Sequence, residues 1–285
     1  MIIRRTTACL NVIFCILSIM LIYCSSAWAE IKNFSINGDH GKLVGYINTP
    51  NKEHYPVFIL LHGFNAGKEM PLLQSISDKL VSQGVATVLF DFNGHGQSDG
   101  RFEDMTIPNE LNDVRKVYDY VSGMPSVTSI SVGGHSQGGL VASLLAGELG
   151  EQKISSLVLL APASVLKDMA ISGNLFGIHY DTTNLPDNIE IPGCCRVGKK
   201  YVETARDLPV YETAAKYQGP VLILHSPADS LVPVKYGYDY EKIYNNDTWG
   251  YFVGIEQSDH NFHGFNNEVS QAVSDFLAEN IENEE

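Results

Sequence analysis

Gly134-His135-Ser136-Gln137-Gly138 sets a serine between two glycines, each two residues away. A serine hydroxyl is a weak nucleophile until a base takes its proton. The pattern G-x-S-x-G serves that chemistry when it joins a strand to a helix. The chain must then turn so sharply that the serine adopts a strained backbone conformation, and small flanking residues avoid collision. The flanks meet that condition: residues 129–132 read as a strand and residues 137–149 as a helix closed by Gly150. The hydroxyl of Ser136 is thus expected at a helix N-terminus, where the dipole and free N–H groups favour negative charge.

A base and an acid that orients it must come from later in the chain, in the order serine, acid, histidine. Asp229, in Ser226-Pro227-Ala228-Asp229, follows the apolar run 221–224. Its loop leaves the carboxyl end of a strand, where open α/β sheets place their sites. His260, in Ser258-Asp259-His260-Asn261-Phe262, follows the strand 251–255. His263 is the competing base and Asp259 the competing acid, although a sequence neighbour rarely reaches round to its own adjacent imidazole. His62, His95 and His135 flank glycines and are expected to shape loops. His225, ending a buried strand, reads as a core histidine, and Asp91 as an organiser of its own turn. Two preorganised N–H donors are needed for the oxyanion. Position assigns them to Gln137, directly after the nucleophile, and Phe64, in the loop after strand 57–61.

The elements that must hold these groups alternate. Residues 57–61, 85–90, 157–160 and 221–224 are short apolar runs, as in strands buried on both faces. Between them, Leu73, Ile76, Leu80 and Val81 recur at helical spacing, as do Leu111, Val114, Val117 and Val121. Val269, Val273, Phe276 and Leu277 mark a last amphipathic helix. This β-α order implies an α/β fold with a mostly parallel central sheet and helices on both faces. Residues 31–37 and 42–48, split by Gly38–Gly41, predict an antiparallel hairpin at one edge. Residues 163–208 break the rhythm, with several Gly and Pro and little helical period, and are expected to form a small inserted cap.

The chain opens with Arg4 and Arg5, a mostly apolar stretch 10–23, and Ala27-Trp28-Ala29. That order of regions predicts a signal peptide over 1–29, cleaved after Ala29, and a secreted or periplasmic domain over 30–285. The apolar stretch is short of the ~18–20 residues that span a bilayer, so no stable membrane insertion is expected after cleavage. The chain holds 19 basic and 33 acidic residues, a net charge of −14, which disfavours nucleic acid as a partner. Three of the five cysteines (Cys9, Cys15, Cys24) leave with the leader. The adjacent Cys194 and Cys195 remain, as free thiols or as a vicinal disulfide. No CxxC, HExxH or histidine-rich cluster indicates a metal, and the chemistry needs no cofactor.

Taken together, His62-Gly63-Phe64, residues 91–100 (DFNGHGQSDG), residues 134–139 (GHSQGG), Asp229 with Val232-Pro233, and Ser258-Asp259-His260-Asn261-Phe262 resemble the α/β-hydrolase superfamily. More narrowly they are similar to bacterial cinnamoyl or feruloyl esterases. The resemblance implies a serine carboxylesterase with Ser136, Asp229 and His260 as its triad. The expected substrate is a small-molecule or saccharide-linked ester, hydroxycinnamoyl in type. It also implies that the cap meets the phenolic hydroxyls of the acyl group. Tyr201 matches one such position. Met169 and Phe176 stand where these esterases carry polar side chains, which makes this cap more apolar. The alternatives on the same fold are a serine peptidase or aminoacyl hydrolase, a short-chain acyl esterase and an acylglycerol lipase. Peptidases of this type usually carry a further large domain.

Overall fold

The structure is a computed structural model that describes residues 30–244 and 250–281. The leader expected over 1–29 lies outside the described residues. A hairpin of β1 (Glu30–Gly38) and β2 (Gly41–Thr49) comes first. Strands and helices then alternate through β3 (Tyr55–Leu61), α1 (Pro71–Ser82), β4 (Ala86–Asp91), α2 (Ile107–Ser122), β5 (Val127–His135), α3 (Gln137–Leu149) and β6 (Leu157–Leu160). The insertion contributes α4 (Val165–Ser172), the short pair β7 (Asn174–Leu175) and β8 (Ile178–His179), the hairpin β9 (Asn188–Ile191) and β10 (Cys195–Gly198), and α5 (Lys199–Arg206). After α6 (Val210–Ala214), the alternation resumes with β11 (Val221–His225), α7 (Lys235–Tyr244), β12 (Gly250–Gly254) and α8 (Asn266–Ile281).

Eight strands form one sheet in the order β1-β2-β4-β3-β5-β6-β11-β12. The pairs β1–β2 and β2–β4 are antiparallel, and every pair from β4 to β12 is parallel. Period-2 alternation divides the apolar strands between two layers. Val57, Ile59 and Leu61 face α2 and α3, meeting Val114, Val117, Leu140, Val141 and Leu144. Phe58 and Leu60 face the opposite layer, with Leu73, Ile76 and Leu80 of α1 and Val273 and Leu277 of α8. Burying one such side chain contributes ~1.5–3 kcal/mol against the entropy of ordering the chain. Among the described residues, no helix is long and apolar enough to cross a membrane.

The insertion is more regular than its sequence suggests. Two of its segments are helices, α4 and α5, of 8 residues each. Two turns are too few for a hydrophobic period to stand out, and Gly173 and Gly198 sit at their boundaries. Cys194 and Cys195 lie at the β9–β10 turn as free thiols, Cys194 exposed and Cys195 half-buried. Burial pushes the Cys195 thiol up to about 12, and its neighbour Cys194 adds to the shift.

Helix α2 carries carboxyls on its inward face beside the expected apolar residues. Asp113 is 1% exposed and accepts from the main-chain N–H of Asn93 at 2.9 Å. Burial raises its carboxyl to about 7. Between the ordinary carboxyl range and that value, the native chain keeps a proton that the unfolded chain has lost. Asp113 therefore lowers stability as pH rises through this window. Relative to the parent, Asp113→Asn is expected to gain stability from about pH 4 to about pH 8. Thermal denaturation at the two pH values checks this, and an unchanged difference would show a carboxylate already charged in the native state.

Candidate active site

The main chain at the β5–α3 junction makes the bend that the pentapeptide predicts. Ser136 has φ 56° and ψ −121°, a left-handed conformation that costs a non-glycine residue ~1–3 kcal/mol. Main-chain hydrogen bonds hold it there. The Ser136 N–H donates to Leu160 O at 2.8 Å, and Ser136 O accepts from Ala163 N at 3.0 Å and Leu140 N at 3.1 Å. Gly134 and Gly138 allow the close approach: a Cβ on Gly134 would lie 2.4 Å from the Gly138 main chain, and one on Gly138 would lie 2.4 Å from His62 O.

Three loops at the carboxyl ends of β5, β11 and β12 converge. His260 Nε2 lies 2.8 Å from Ser136 Oγ, and His260 Nδ1 lies 2.7 Å from Asp229 Oδ2. The other oxygen, Asp229 Oδ1, accepts from the N–H groups of Leu231 and Val232, both at 2.9 Å. Ser136, His260 and Asp229 are each buried, at 8%, 8% and 6% exposure. Burial alone would raise the Asp229 pKa. The hydrogen bonds from His225 and His260 and the amide of Val232 outweigh it and hold this carboxyl well below its usual range. An anionic Asp229 therefore faces Nδ1–H, which leaves Nε2 as the acceptor toward the serine.

The competing assignments separate in space. His263 is exposed and its Nδ1 pairs with Asp259 Oδ2 at 2.6 Å, so that histidine and that acid occupy each other. His135 supports the site from behind, its Nε2–H donating to the carbonyl of His260 at 2.8 Å. Burial, and then the neighbouring His260, push the His135 imidazole down to about 3, so it stays neutral. His225 is fully buried, with Nε2 2.9 Å from Val232 O and 3.3 Å from Asp229 Oδ2. Sequence reasoning placed it in the core and missed its hold on Asp229. The four-residue spacing to Asp229, across a strand end, was the available signal.

The loop carrying Phe64 is pinned through Asp91. That carboxylate accepts from Lys68 N at 2.8 Å, Lys68 Nζ at 2.6 Å and Gln97 N at 2.9 Å. Gln137 opens α3, so its N–H has no intrahelical acceptor. The Phe64 N–H has no hydrogen-bond acceptor among the described residues. Gln137 directly follows Ser136, and Phe64 lines the same cavity as Ser136.

Ser136 and His260 open onto a cavity of about 370 Å³. Val165, Leu166 and Phe176 of the insertion line it, with Leu231 and Val232 from the Asp229 loop and Met70 from the start of α1. Phe176 thus brings an aromatic ring of the insertion to the cavity wall. Tyr201 and Met169, expected beside it at the substrate, do not line this cavity. Tyr201 is fully buried behind it and donates its hydroxyl to Gln137 Oε1 at 2.6 Å. Met169 packs against the core, where its main-chain oxygen accepts from Tyr180 OH at 3.2 Å. No group of three or more His, Cys, Asp or Glu that could hold a metal ion occurs among the described residues.

The strand order and the strained serine at the strand–helix bend define an α/β-hydrolase, and comparison with known proteins agrees. A hydrolase family model described as serine aminopeptidase S33 matches residues 52–182. A structure of Est1E from Butyrivibrio proteoclasticus with ferulic acid bound is similar at 34% identity and a TM-score of 0.83. The match covers 87% of this chain and 99% of that one. The chain belongs to the α/β-hydrolase superfamily and within it is similar to Est1E. Human protein ABHD12B is 27% identical over 226 residues, covering 77% of this chain and 58% of that protein. The lysophosphatidylserine lipase ABHD12 of Xenopus tropicalis is 27% identical over 197 residues, covering 67% of this chain and 46% of that protein. The chain thus spans about half the length of these two relatives.

Proposed function

We propose that this protein is a secreted serine carboxylesterase that cleaves hydroxycinnamoyl (feruloyl-type) esters of small alcohols or saccharides. The observation that carries the reading is the unbroken hydrogen-bonded chain from Ser136 Oγ through His260 to Asp229, opening on an apolar cavity. His260 takes the Ser136 proton as the hydroxyl attacks the ester carbonyl. Asp229 holds the imidazole tautomer and stabilises the imidazolium. The N–H groups of Gln137 and Phe64 receive the tetrahedral oxyanion, and removing one such donor typically costs ~10²–10³ in rate. His260 then gives its proton to the departing alcohol. Water enters, is activated by the same histidine, and releases the acid.

Similarity to Est1E with ferulic acid bound, and the aromatic ring of Phe176 in the cavity wall, support an aromatic acyl group. The leader expected over 1–29 supports export. Likeness to the frog lysophosphatidylserine lipase favours, as a second reading, a lipase acting on aliphatic acyl chains. A side-by-side assay of methyl ferulate, methyl p-coumarate, short-chain nitrophenyl esters and a lysophospholipid separates the two. The aromatic esters are expected to give the highest kcat/KM. Preference for the lysophospholipid would replace the cinnamoyl assignment while leaving the serine mechanism in place.

The acid limb of the pH profile gives a further check. Only an unprotonated imidazole can take the serine proton, so kcat/KM is expected to rise with pH along a single-proton limb. A rate that does not fall anywhere on acidification, in protein that stays folded, would contradict a histidine base.

A further inference from the structure

The side chain of Gln137 is gripped from two directions by groups that the hydrolytic scheme does not use. Its Nε2 donates to Oε2 of Glu110 at 2.8 Å, and its Oε1 accepts from the Tyr201 hydroxyl at 2.6 Å. All three residues are buried, Glu110 at 1% exposure and the other two at 0%. Glu110 comes from α2, Gln137 from the start of α3, and Tyr201 from α5 in the insertion. Tyr201 also packs edge-on against Phe64, with ring centroids 5.9 Å apart. One cap tyrosine therefore touches both Gln137 and Phe64, the two residues proposed above as oxyanion donors.

Among the described residues, Glu110 makes no ion pair. Burial pushes its carboxyl well above the ordinary range, and Oε1 has no hydrogen-bond partner among the described residues. It sits in the core beside the Sδ of Met105, which lies 3.4 Å from Gln137 Nε2. A buried polar group with one bond costs more than an apolar side chain of similar size, so packing alone does not explain it. Its effect is geometric. A carboxamide bonded at both ends cannot rotate, and it belongs to the residue directly after the strained Ser136.

We propose that Glu110 and Tyr201 are positioning residues for the oxyanion site. By clamping the Gln137 carboxamide between them, they fix the first turn of α3 and with it the direction of the Gln137 N–H. The proposal rests on the serine-esterase reading of Ser136. A hydrogen bond weakens steeply as its angle departs from linearity. The bond to the oxyanion tightens only as the carbonyl becomes tetrahedral, so a misdirected donor lowers kcat more than it raises KM.

The test compares Glu110→Gln, Glu110→Leu and Tyr201→Phe with the parent on an activated aryl ester. Phenylboronic acid serves as an inhibitor whose tetrahedral serine adduct presents an oxygen to the same donors. Glu110→Gln keeps an acceptor of the same shape and is expected within about threefold of the parent in kcat. Glu110→Leu is expected to lower kcat about tenfold or more with KM within about threefold, part of the ~10²–10³ that one donor supplies. Tyr201→Phe keeps the ring and loses one bond, and a drop of about three- to tenfold is expected. Boronate affinity should fall in step with kcat/KM.

Wild-type kcat in both folded Glu110→Leu and Tyr201→Phe would overturn the proposal, as would a loss confined to KM. So would Glu110→Gln being as impaired as Glu110→Leu. Should the leucine variant fail to fold, kcat and boronate affinity of Tyr201→Phe decide. If the parent cleaves no ester and takes no fluorophosphonate label, the serine-esterase reading fails first and the proposal falls with it. A parent that is active and labelled, with unaffected variants, overturns the proposal alone.

Discussion

Ser136→Ala is expected to lower ester hydrolysis by at least about 10³-fold and to leave the fold intact. The residual rate would come from the two N–H donors and substrate binding, neither of which needs the hydroxyl. Alanine keeps the Cβ and so inherits the same φ 56° bend, whose main-chain bonds to Leu160, Ala163 and Leu140 are untouched. Only the 2.8 Å bond to His260 is lost. Steady-state kinetics on an aryl ester, a melting curve and fluorophosphonate labelling read the three consequences separately. Activity above about a hundredth of the parent, in a variant that melts normally, would take Ser136 out of the nucleophile's role.

Asp229→Asn is the second large effect, with an expected loss of about 10³–10⁴-fold in kcat. The surrounding hydrogen bonds dictate which way the asparagine faces. Oδ1 accepts two main-chain N–H groups, from Leu231 and Val232, so the carboxamide must turn its oxygen toward them. Its NH₂ then faces His260 Nδ1 in place of Oδ2. A donor opposite Nδ1 moves the imidazole proton to Nε2, and a protonated Nε2 cannot accept the Ser136 proton. Stability should respond as well. The Asp229 carboxyl is held well below its usual range, so it stabilises the native state above the ordinary carboxyl pKa and loses that contribution as pH falls. The variant should therefore melt below the parent near neutrality, with the gap narrowing in acid. Near-parental kcat would remove Asp229 from the orienting role, whereas a constant melting gap would refute only the ionisation argument.

The hydrolase scaffold was readable because its signals are local. Val57 to Leu61 had to be a strand buried on both faces, since an apolar run of that length has no polar side to expose. Ser136 had to sit on a bend, since glycines on both sides of it join a strand to a helix. The order of Ser136, Asp229 and His260 along the chain, each just past a strand, sufficed to pair them before any distance was known. Helix α2 was harder. Its Val114, Val117 and Val121 announced an inward face, yet Glu110 and Asp113 lie on that face too. The helical period marks no carboxyl as buried, and their hydrogen-bond partners, Asn93 and Gln137, come from other segments.

The same reasoning separates Phe176, which lines the cavity, from Met169 and Tyr201, which do not. Composition could assign all three to one insertion, but which way each side chain points depends on how α4 and α5 pack on the body. His135 and His225 make the point again, since each works through a carbonyl or carboxylate remote from it or hidden in the core. Short-range rules of strand, bend and chain order were enough to pick out the serine, histidine and aspartate that the fold brings within hydrogen-bond distance. The walls around them, and the buried grip on Gln137, exist only once segments far apart in sequence close on one another, because a hydrogen bond between distant residues leaves no periodicity to read.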